Sequence, residues 1–399
     1  MTKILFVHPN FPAQFKNIAE LLASNGYDVK FLCQTHYGRK IKGVSRLSIK
    51  INDPKMSDEE KRNRMTKHNN QDIVATTYKD AFKQLTKTGW IPEHVVSHSG
   101  WGCGIYAKEI WPDVKLTSYL EWWFNPKSSF YFYDENNSEL NLNQGKSTDF
   151  WKRNGSIAFE LSVADNIIAP TQWQKDQLPE RLKQGTTVIF DGIDFRKFRR
   201  RDDCTSVSPL LTYGTRGMEP VRCFPQFIRE IPFIVKDFPD IKIEIAGRDE
   251  INYGGRKPKG FKSWGEWAKD YLKENKVNEN VEWLGYLSID DYLCWMSKSW
   301  CHLYLTHPYV LSWSFLEALT IGCPIVASKV DPVLEFASDS KINLVDHREI
   351  GNIAKKVKEV INDPARWERS RYNQIERLER NYCYEQFLNV TGLDLATNR

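Results

Sequence analysis

Four segments of the 399-residue chain combine residue types able to bind or transform a ligand. In residues 213–222, Gly214, Arg216, Gly217 and Arg222 follow an apolar run and precede a helical pattern beginning at Phe224. Guanidinium groups fork onto phosphate oxygens, and glycine lets a ligand approach the backbone. The alternative is a loop with two solvated arginines; the place after a strand and the pairing of Gly with Arg favour phosphate. In residues 309–319, Ser312, Ser314 and Glu317 precede Gly322-Cys323-Pro324. Ser314 and Glu317 have the spacing of a capping box, a purely structural device, yet a capped helix start also offers N–H groups to a ligand.

A third segment, residues 94–104, ends an apolar run on His98 and turns through Gly100, Trp101, Gly102 and Gly104. Its glycine spacing is not the GxGxxG of a dinucleotide site. His98 could donate to a phosphate or a sugar hydroxyl, or serve only the turn. Fourth, aromatic residues crowd 119–124 and 130–133. They suit sugar rings or a lipid interface, though a hydrophobic core is the plainer account. The cation run 196–201 could meet anionic lipid; a solvated linker is preferred.

The elements that position these residues alternate between short apolar runs and helical spacing. Lys3–Val7 and Asp28–Cys33 read as strands around a helix carrying Phe15, Ile18, Ala19 and Leu22, with Gly26 as its C-terminal cap. Residues 58–86 read as a long charged helix, and 94–98, 116–122, 166–169 and 187–190 as further strands. The apolar signal lapses over 195–209, then resumes with strands at 210–213, 241–246, 281–284, 302–306 and 324–328 and a helical end after Ile350. Buried strands alternating with amphipathic helices indicate parallel sheets covered on both faces. The expected class is therefore α/β, with two tandem doubly wound Rossmann-like domains, 1–200 and 201–375, and a helical tail over 376–399. In such sheets ligands bind beyond the carboxyl ends of the strands.

Composition excludes several classes. Hydrophobic residues make up 41% and aromatic residues 13%, which excludes intrinsic disorder. Lys and Arg number 56 against 51 Asp and Glu, so no electrostatic drive toward nucleic acid exists. No stretch approaches a membrane-spanning helix, and the first apolar run is too short for a signal-peptide core. The eight cysteines form no CxxC pair, so zinc-site spacing is absent, and a reduced cytoplasmic protein without disulfides is expected.

Taken in order, these segments resemble a family-4 glycosyltransferase with the GT-B fold, over most of the chain. The resemblance is carried by residues 6–15, 98–102, 191–194, 213–222, 316–318 and 322–328. It implies transfer of a sugar from a nucleotide-diphosphate donor to a hydroxyl acceptor, with retained anomeric configuration, no cofactor and no catalytic metal. Gly214, Arg216 and Arg222 would then hold the diphosphate, Arg222 standing where the family has a lysine. Ser312, Ser314 and Glu317 would complete the donor site, Glu317 on the ribose, and His98 would contact the transferred sugar or its phosphate. Phe11, Gln14, Trp101 and Glu121 would lie on the acceptor side. The chain departs from the family at Tyr309, eight positions before Glu317, where a glutamate is usual; a phenol carries no charge at pH 7.

The partners implied are a nucleotide-sugar donor and a sugar or glycolipid acceptor in polysaccharide or glycolipid synthesis, with no nucleic acid. Contact with the inner membrane face would be peripheral. Base recognition is expected near Arg248 or residues 281–286, and residues 254–260 read as a mobile basic insertion. Two alternatives share the fold: a catalytically silent sugar-nucleotide binder, suggested by Tyr309, and a sugar-nucleotide epimerase. Outside it stands an NAD-dependent oxidoreductase, against which the missing GxGxxG counts.

Overall fold

In the computed structural model, which describes residues 1–50, 66–140, 147–337, 341–370 and 375–393, the apolar runs form two parallel sheets. The first has the order β3-β2-β1-β4-β5-β6-β7. Its strands are β1 (Lys3–Val7), β2 (Asp28–Cys33), β3 (Val44–Ser48), β4 (His94–His98), β5 (Lys115–Tyr119), β6 (Asn166–Ala169) and β7 (Thr186–Val188). The second has the order β10-β9-β8-β11-β12-β13. It comprises β8 (Leu210–Gly217), β9 (Lys242–Arg248), β10 (Val281–Gly285), β11 (Cys301–Tyr304), β12 (Ile325–Ser328) and β13 (Asn343–Val345). Strand order reverses beside the first strand of each sheet, between β1 and β4 and between β8 and β11. At such switch points the loops diverge and open a place for a ligand.

Helical periodicity supplies the covering layers. The helix Lys16–Ser24 buries Ile18, Ala19 and Leu22 on one face; Asn25 caps it, and Gly26 follows at φ 85°. The helix Phe224–Asp237 buries Phe224, Phe227, Ile228, Ile231 and Ile234. Its Phe227 ring stacks on Tyr213 of β8 with centroids 4.6 Å apart. Of the long helix expected over 58–86, residues 58–65 lie outside the described residues, and the helix runs Thr66–Lys87. No helix among the described residues is long and apolar enough to cross a membrane.

The chain divides into two units: Met1–Pro126 with Gly145–Ile193 and Arg377–Arg399, and Lys127–Gln144 with Asp194–Glu376. This differs from the expected division in three places. The tail expected as a separate element belongs to the first unit, because Ile193 N–H donates to Leu378 O at 2.7 Å and Arg380 N–H to Ile193 O at 3.0 Å. Residues 127–140 belong to the second unit, where Ser129 Oγ donates to Asp331 at 2.6 Å and Arg229 grips Glu139 with both Nη atoms. The run 196–201, read as a solvated linker, is in part packed: Arg200 lies over the Trp367 ring at 3.7 Å and Arg201 pairs with Asp290 at 2.6 Å. Engaged in this way, Arg200 and Arg201 are poorly suited to a lipid surface.

The expectation of fully reduced cysteines is also corrected. Cys204 and Cys294 form a disulfide, closing a separation of 90 residues that no local motif could reveal. The other six cysteines are buried free thiols.

Because Phe227 is fully buried and stacked, Phe227→Ala should destabilise the protein by about 3–5 kcal/mol. Denaturant unfolding checks this; a loss below about 1 kcal/mol would contradict the packing described.

Candidate functional site

In the first unit, β1 and β4 end side by side, Val7 pairing with Ser97. His98, the last residue of β4, is buried, and Gly100 N–H donates to its Nδ1 at 3.2 Å. A neutral ring then carries its proton on Nε2. That Nε2 lies 3.5 Å from Glu121 Oε2 and makes no hydrogen bond among the described residues. Gln14 Nε2 donates to the other Glu121 oxygen at 2.9 Å, and the Trp101 ring, 43% exposed, stands 6.4 Å from His98. Of the residues expected here, His98, Gln14, Trp101 and Glu121 come together. Phe11 does not: it is a core residue, 1% exposed and packed edge-on to Phe31 at 4.9 Å, so it presents no face to an acceptor.

The turn after His98 rests on a buried carboxylate. Glu160 accepts from Ser118 Oγ at 2.9 Å and from Gly104 N–H at 3.2 Å, and burial pushes its carboxyl above the usual range. Gly104 is needed for this approach, since a Cβ there would collide with Ser97 Oγ. Ser99 Oγ donates to Tyr119 O at 3.0 Å, fixing the turn against β5.

In the second unit, β8 extends through Gly217, so the segment read as a loop is strand over 213–217, with an irregular register against β9 between Gly214 and Gly217. Gly214 has a packing reason, because a Cβ there would stand 3.1 Å from the Trp295 ring. Arg216 is exposed, 5.9 Å from the centroid of Tyr253. Arg222 differs: it is buried, and its Nη1 donates to Thr306 Oγ1 at 2.8 Å and Tyr304 OH at 3.4 Å. Its Nη2 donates to Val310 O at 3.3 Å, and the Tyr253 ring covers it at 4.8 Å. Much of the hydrogen-bonding capacity of Arg222 is thus used inside the protein, whereas Arg216 is exposed. Tyr304 OH also accepts from Ser312 N–H at 2.9 Å, which links Arg222 to the start of the helix Trp313–Ile321.

That helix is capped by Ser312, whose Oγ accepts from Ser314 N–H at 3.3 Å and lies 2.8 Å from Ser314 Oγ. The expected capping box from Ser314 to Glu317 is therefore replaced by a cap two residues earlier. Glu317 instead accepts from Tyr292 OH at 2.9 Å, and burial pushes its carboxyl up to about 7. Tyr309 is half-buried, with its ring 5.2 Å from Phe130 and 5.9 Å from Tyr253. Arg248 lies over Tyr286 at 5.6 Å, in the region expected to meet the base.

Sequence reading missed several residues at these sites: His8, Glu219, Tyr253 and Tyr292. Glu219 is fully buried, and its Oε2 accepts from the N–H groups of Asn252, Tyr253 and Gly254 at 2.8, 2.7 and 3.1 Å. It fixes the start of the insertion read as mobile, and Arg256 N–H is tied to Glu139 O at 2.7 Å. An acid inside a Gly- and Arg-rich segment was the available signal. Among the described residues no group of three or more His, Cys, Asp or Glu is arranged to hold a metal ion.

Comparison with known proteins joins the two units under one heading. Residues 25–198 match the family described as Glycosyl transferase family 4 group, and residues 219–377 match Glycosyl transferases group 1. Glycogen synthase of Mycobacterium tuberculosis is 21% identical over 235 residues, 57% of this chain and 53% of the relative. The match thus spans about half the length of the curated relatives. A sucrose-phosphate synthase from Thermosynechococcus elongatus superposes with a TM-score of 0.72 at 13% identity, covering 98% of each chain. Anabaena HepE, solved with UDP and glucose, gives 0.69 at 14% identity over 98% of this chain and 100% of its own. A glycosyltransferase from Rickettsia africae gives 0.67 at 13% identity, covering 100% and 99%. With both units matched and the architecture shared end to end, the chain belongs to the family-4 glycosyltransferases of the GT-B fold.

Proposed function

We propose that this protein transfers a sugar from a nucleotide-diphosphate sugar to a hydroxyl of a polysaccharide or glycolipid precursor, with the anomeric configuration retained. The observation that carries this reading is the exposed guanidinium of Arg216 at the switch point of the second sheet, on the unit that also bears the Ser312-capped helix and Glu317. In the reaction the bond between the anomeric carbon and the diphosphate oxygen breaks, one to the acceptor oxygen forms, and the acceptor hydroxyl's proton passes to the leaving diphosphate. Negative charge gathers on the leaving diphosphate, where Arg216 and the N–H groups of a helix start would stabilise it. Arg222 acts beneath them, holding Thr306, Tyr304 and Val310 in place. Glu317 accepts from the ribose hydroxyls. On the first unit, His98 donates to the transferred sugar or its phosphate, and Trp101, Gln14 and Glu121 receive the acceptor. The charge on the leaving group is met by protein groups in this reading, without a catalytic metal.

HepE is described with UDP-glucose as well as UDP and glucose, which makes UDP-glucose the first donor to try. Tyr309 favours a second reading, a nucleotide-sugar binder without turnover. Release of free nucleotide diphosphate separates the two: release supports transfer or hydrolysis, and tight binding with no release under any acceptor supports the binder.

The two arginines should separate experimentally. Arg216→Ala should weaken nucleotide-sugar binding about ten- to a hundredfold by calorimetry, with the melting temperature unchanged. Arg222→Ala should lower stability by about 2 kcal/mol, because its partners lose their donors. Unchanged donor affinity in Arg216→Ala would remove the diphosphate assignment.

Glu317 gives a pH signature. With its carboxyl up at about 7, the residue is largely protonated at pH 6 and ionised at pH 8, and only the ionised form offers both oxygens as acceptors. Nucleotide-sugar affinity should therefore rise from pH 6 to pH 8, and Glu317→Gln should flatten that rise. Calorimetry across this range is the check; an identical slope in the variant would dismiss the ribose contact.

A further inference from the structure

We propose that His8 is a second ligand-binding histidine, donating through Nε2 to the same hexosyl-phosphate group that His98 meets. The inference rests on the functional reading above and adds a residue to it.

Position comes first. Val7 of β1 pairs with Ser97 of β4, so His8, just past β1, and His98, the last residue of β4, stand side by side at the switch point of the first sheet. Their rings meet edge to face with centroids 5.0 Å apart, and His8 also lies 6.1 Å from the exposed ring of Trp101.

The second observation is a shared device. Asn10 N–H donates to His8 Nδ1 at 2.8 Å, as Gly100 N–H donates to His98 Nδ1 at 3.2 Å. In each case the backbone two residues on occupies Nδ1, which leaves the neutral ring's proton on Nε2. Burial and the nearby His98 hold the His8 pKa well below its ordinary value, so His8 is a neutral donor at pH 7. His8 Nε2 has no hydrogen-bond partner among the described residues, and His98 Nε2 is sealed from solvent without one. The sealed, unpaired His98 Nε2 costs free energy that a ligand oxygen would recover, and His8 Nε2, not sealed in this way, is open to the same ligand. Two N–H donors on rings whose centroids lie 5.0 Å apart suit neighbouring oxygens, on a phosphate or on a sugar carrying vicinal hydroxyls.

A role confined to holding the turn is a weaker account of His8. The loop that follows it is already fastened by Phe11 N–H to Thr35 O at 2.8 Å and by Gln34 and Thr35 N–H to Pro9 O, both at 2.9 Å. Thr35 Oγ1 also donates to Asn10 Oδ1 at 2.7 Å. The bond from Asn10 to His8 adds little to this set, but it is what determines which nitrogen of His8 carries the proton.

Two substitutions test the proposal, because each keeps one nitrogen's function. His8→Asn retains an acceptor near the Nδ1 position for Asn10 N–H and removes the outer donor. His8→Gln places an amide N–H near the Nε2 position and gives up the inner acceptor. The full-length protein would be titrated by calorimetry with UDP-glucose, GDP-mannose and ADP-glucose and with the free diphosphates, and slow hydrolysis of the sugar conjugate would be followed by nucleotide release. A ligand role predicts that His8→Asn loses about tenfold or more in affinity or hydrolysis while His8→Gln stays within about threefold of wild type. A loss confined to the sugar conjugate assigns the contact to the hexosyl group; a loss shared by the free diphosphate assigns it to phosphate. The reverse ranking, equal losses in both variants, or wild-type behaviour in both would overturn the proposal and leave His8 to the turn. Failure of the wild-type protein to bind any of the three sugar conjugates would instead overturn the functional reading, and this inference with it.

Discussion

A guanidinium taken out of water must find its partners inside the protein, and Arg222 finds them on one strand end and the loop beyond it. Tyr304 closes β11, Thr306 lies two residues on, and Val310 lies in the loop leading to the helix Trp313–Ile321. Because Tyr304 OH also takes the Ser312 N–H, the same charge settles where that helix begins. Tyr253 closes the arrangement from the other side, and Glu219 holds Tyr253 by its backbone. The exposed Arg216 is therefore set against a frame that another arginine and a buried carboxylate have made rigid. An ion so fully enclosed contributes little net stability, but removing one partner leaves the others unsatisfied, so the arrangement persists as a whole.

The first unit uses backbone rather than charge. The register between β1 and β4 sets the spacing of the His8 and His98 rings, and N–H groups two residues downstream set the nitrogen that faces outward. Glu160 supports this from beneath. It grips Ser118 on β5 and Gly104 at the far end of the turn, so the loop carrying Trp101 is anchored at both ends. Both units thus place polar side chains on loops at a switch point and hold those loops with buried acids, which concentrates adaptable chemistry on a fixed sheet.

Much of this was legible in the chain because local pattern dictates it. The runs at Lys3–Val7, Asp28–Cys33, His94–His98 and Asn166–Ala169 are strands at the bounds their apolar residues mark. The edge strand Val44–Ser48 was missed because its residues are at most half-buried and carry no apolar run. β5 ends at Tyr119, before the apolar residues that follow it, and Glu121 turns away to meet Gln14 and His98. Phe11 was placed on the acceptor side by the family resemblance alone; Phe31, twenty positions later, covers it. Pairings such as Tyr292 with Glu317, Glu219 with Asn252 and Cys204 with Cys294 join residues 25 to 90 positions apart, where no periodicity links the partners.

Tyr309 illustrates how a departure from a family pattern can agree with its surroundings. Its ring lies against Phe130, contributed by the excursion over residues 127–140, and against Tyr253, held by Glu219. A carboxylate among these rings would lose hydration, which raises its pKa, while the Arg222 guanidinium beside Val310 O would lower it. Glu317 already shows the effect, with burial holding its carboxyl up at about 7 even while Tyr292 donates to it. A phenol avoids that cost and keeps one polar atom at the edge of an aromatic wall, whose faces suit the C–H surface of a sugar ring. The tyrosine and its aromatic neighbours therefore form one arrangement, in which the Tyr253 ring lies against both Tyr309 and the Arg222 guanidinium.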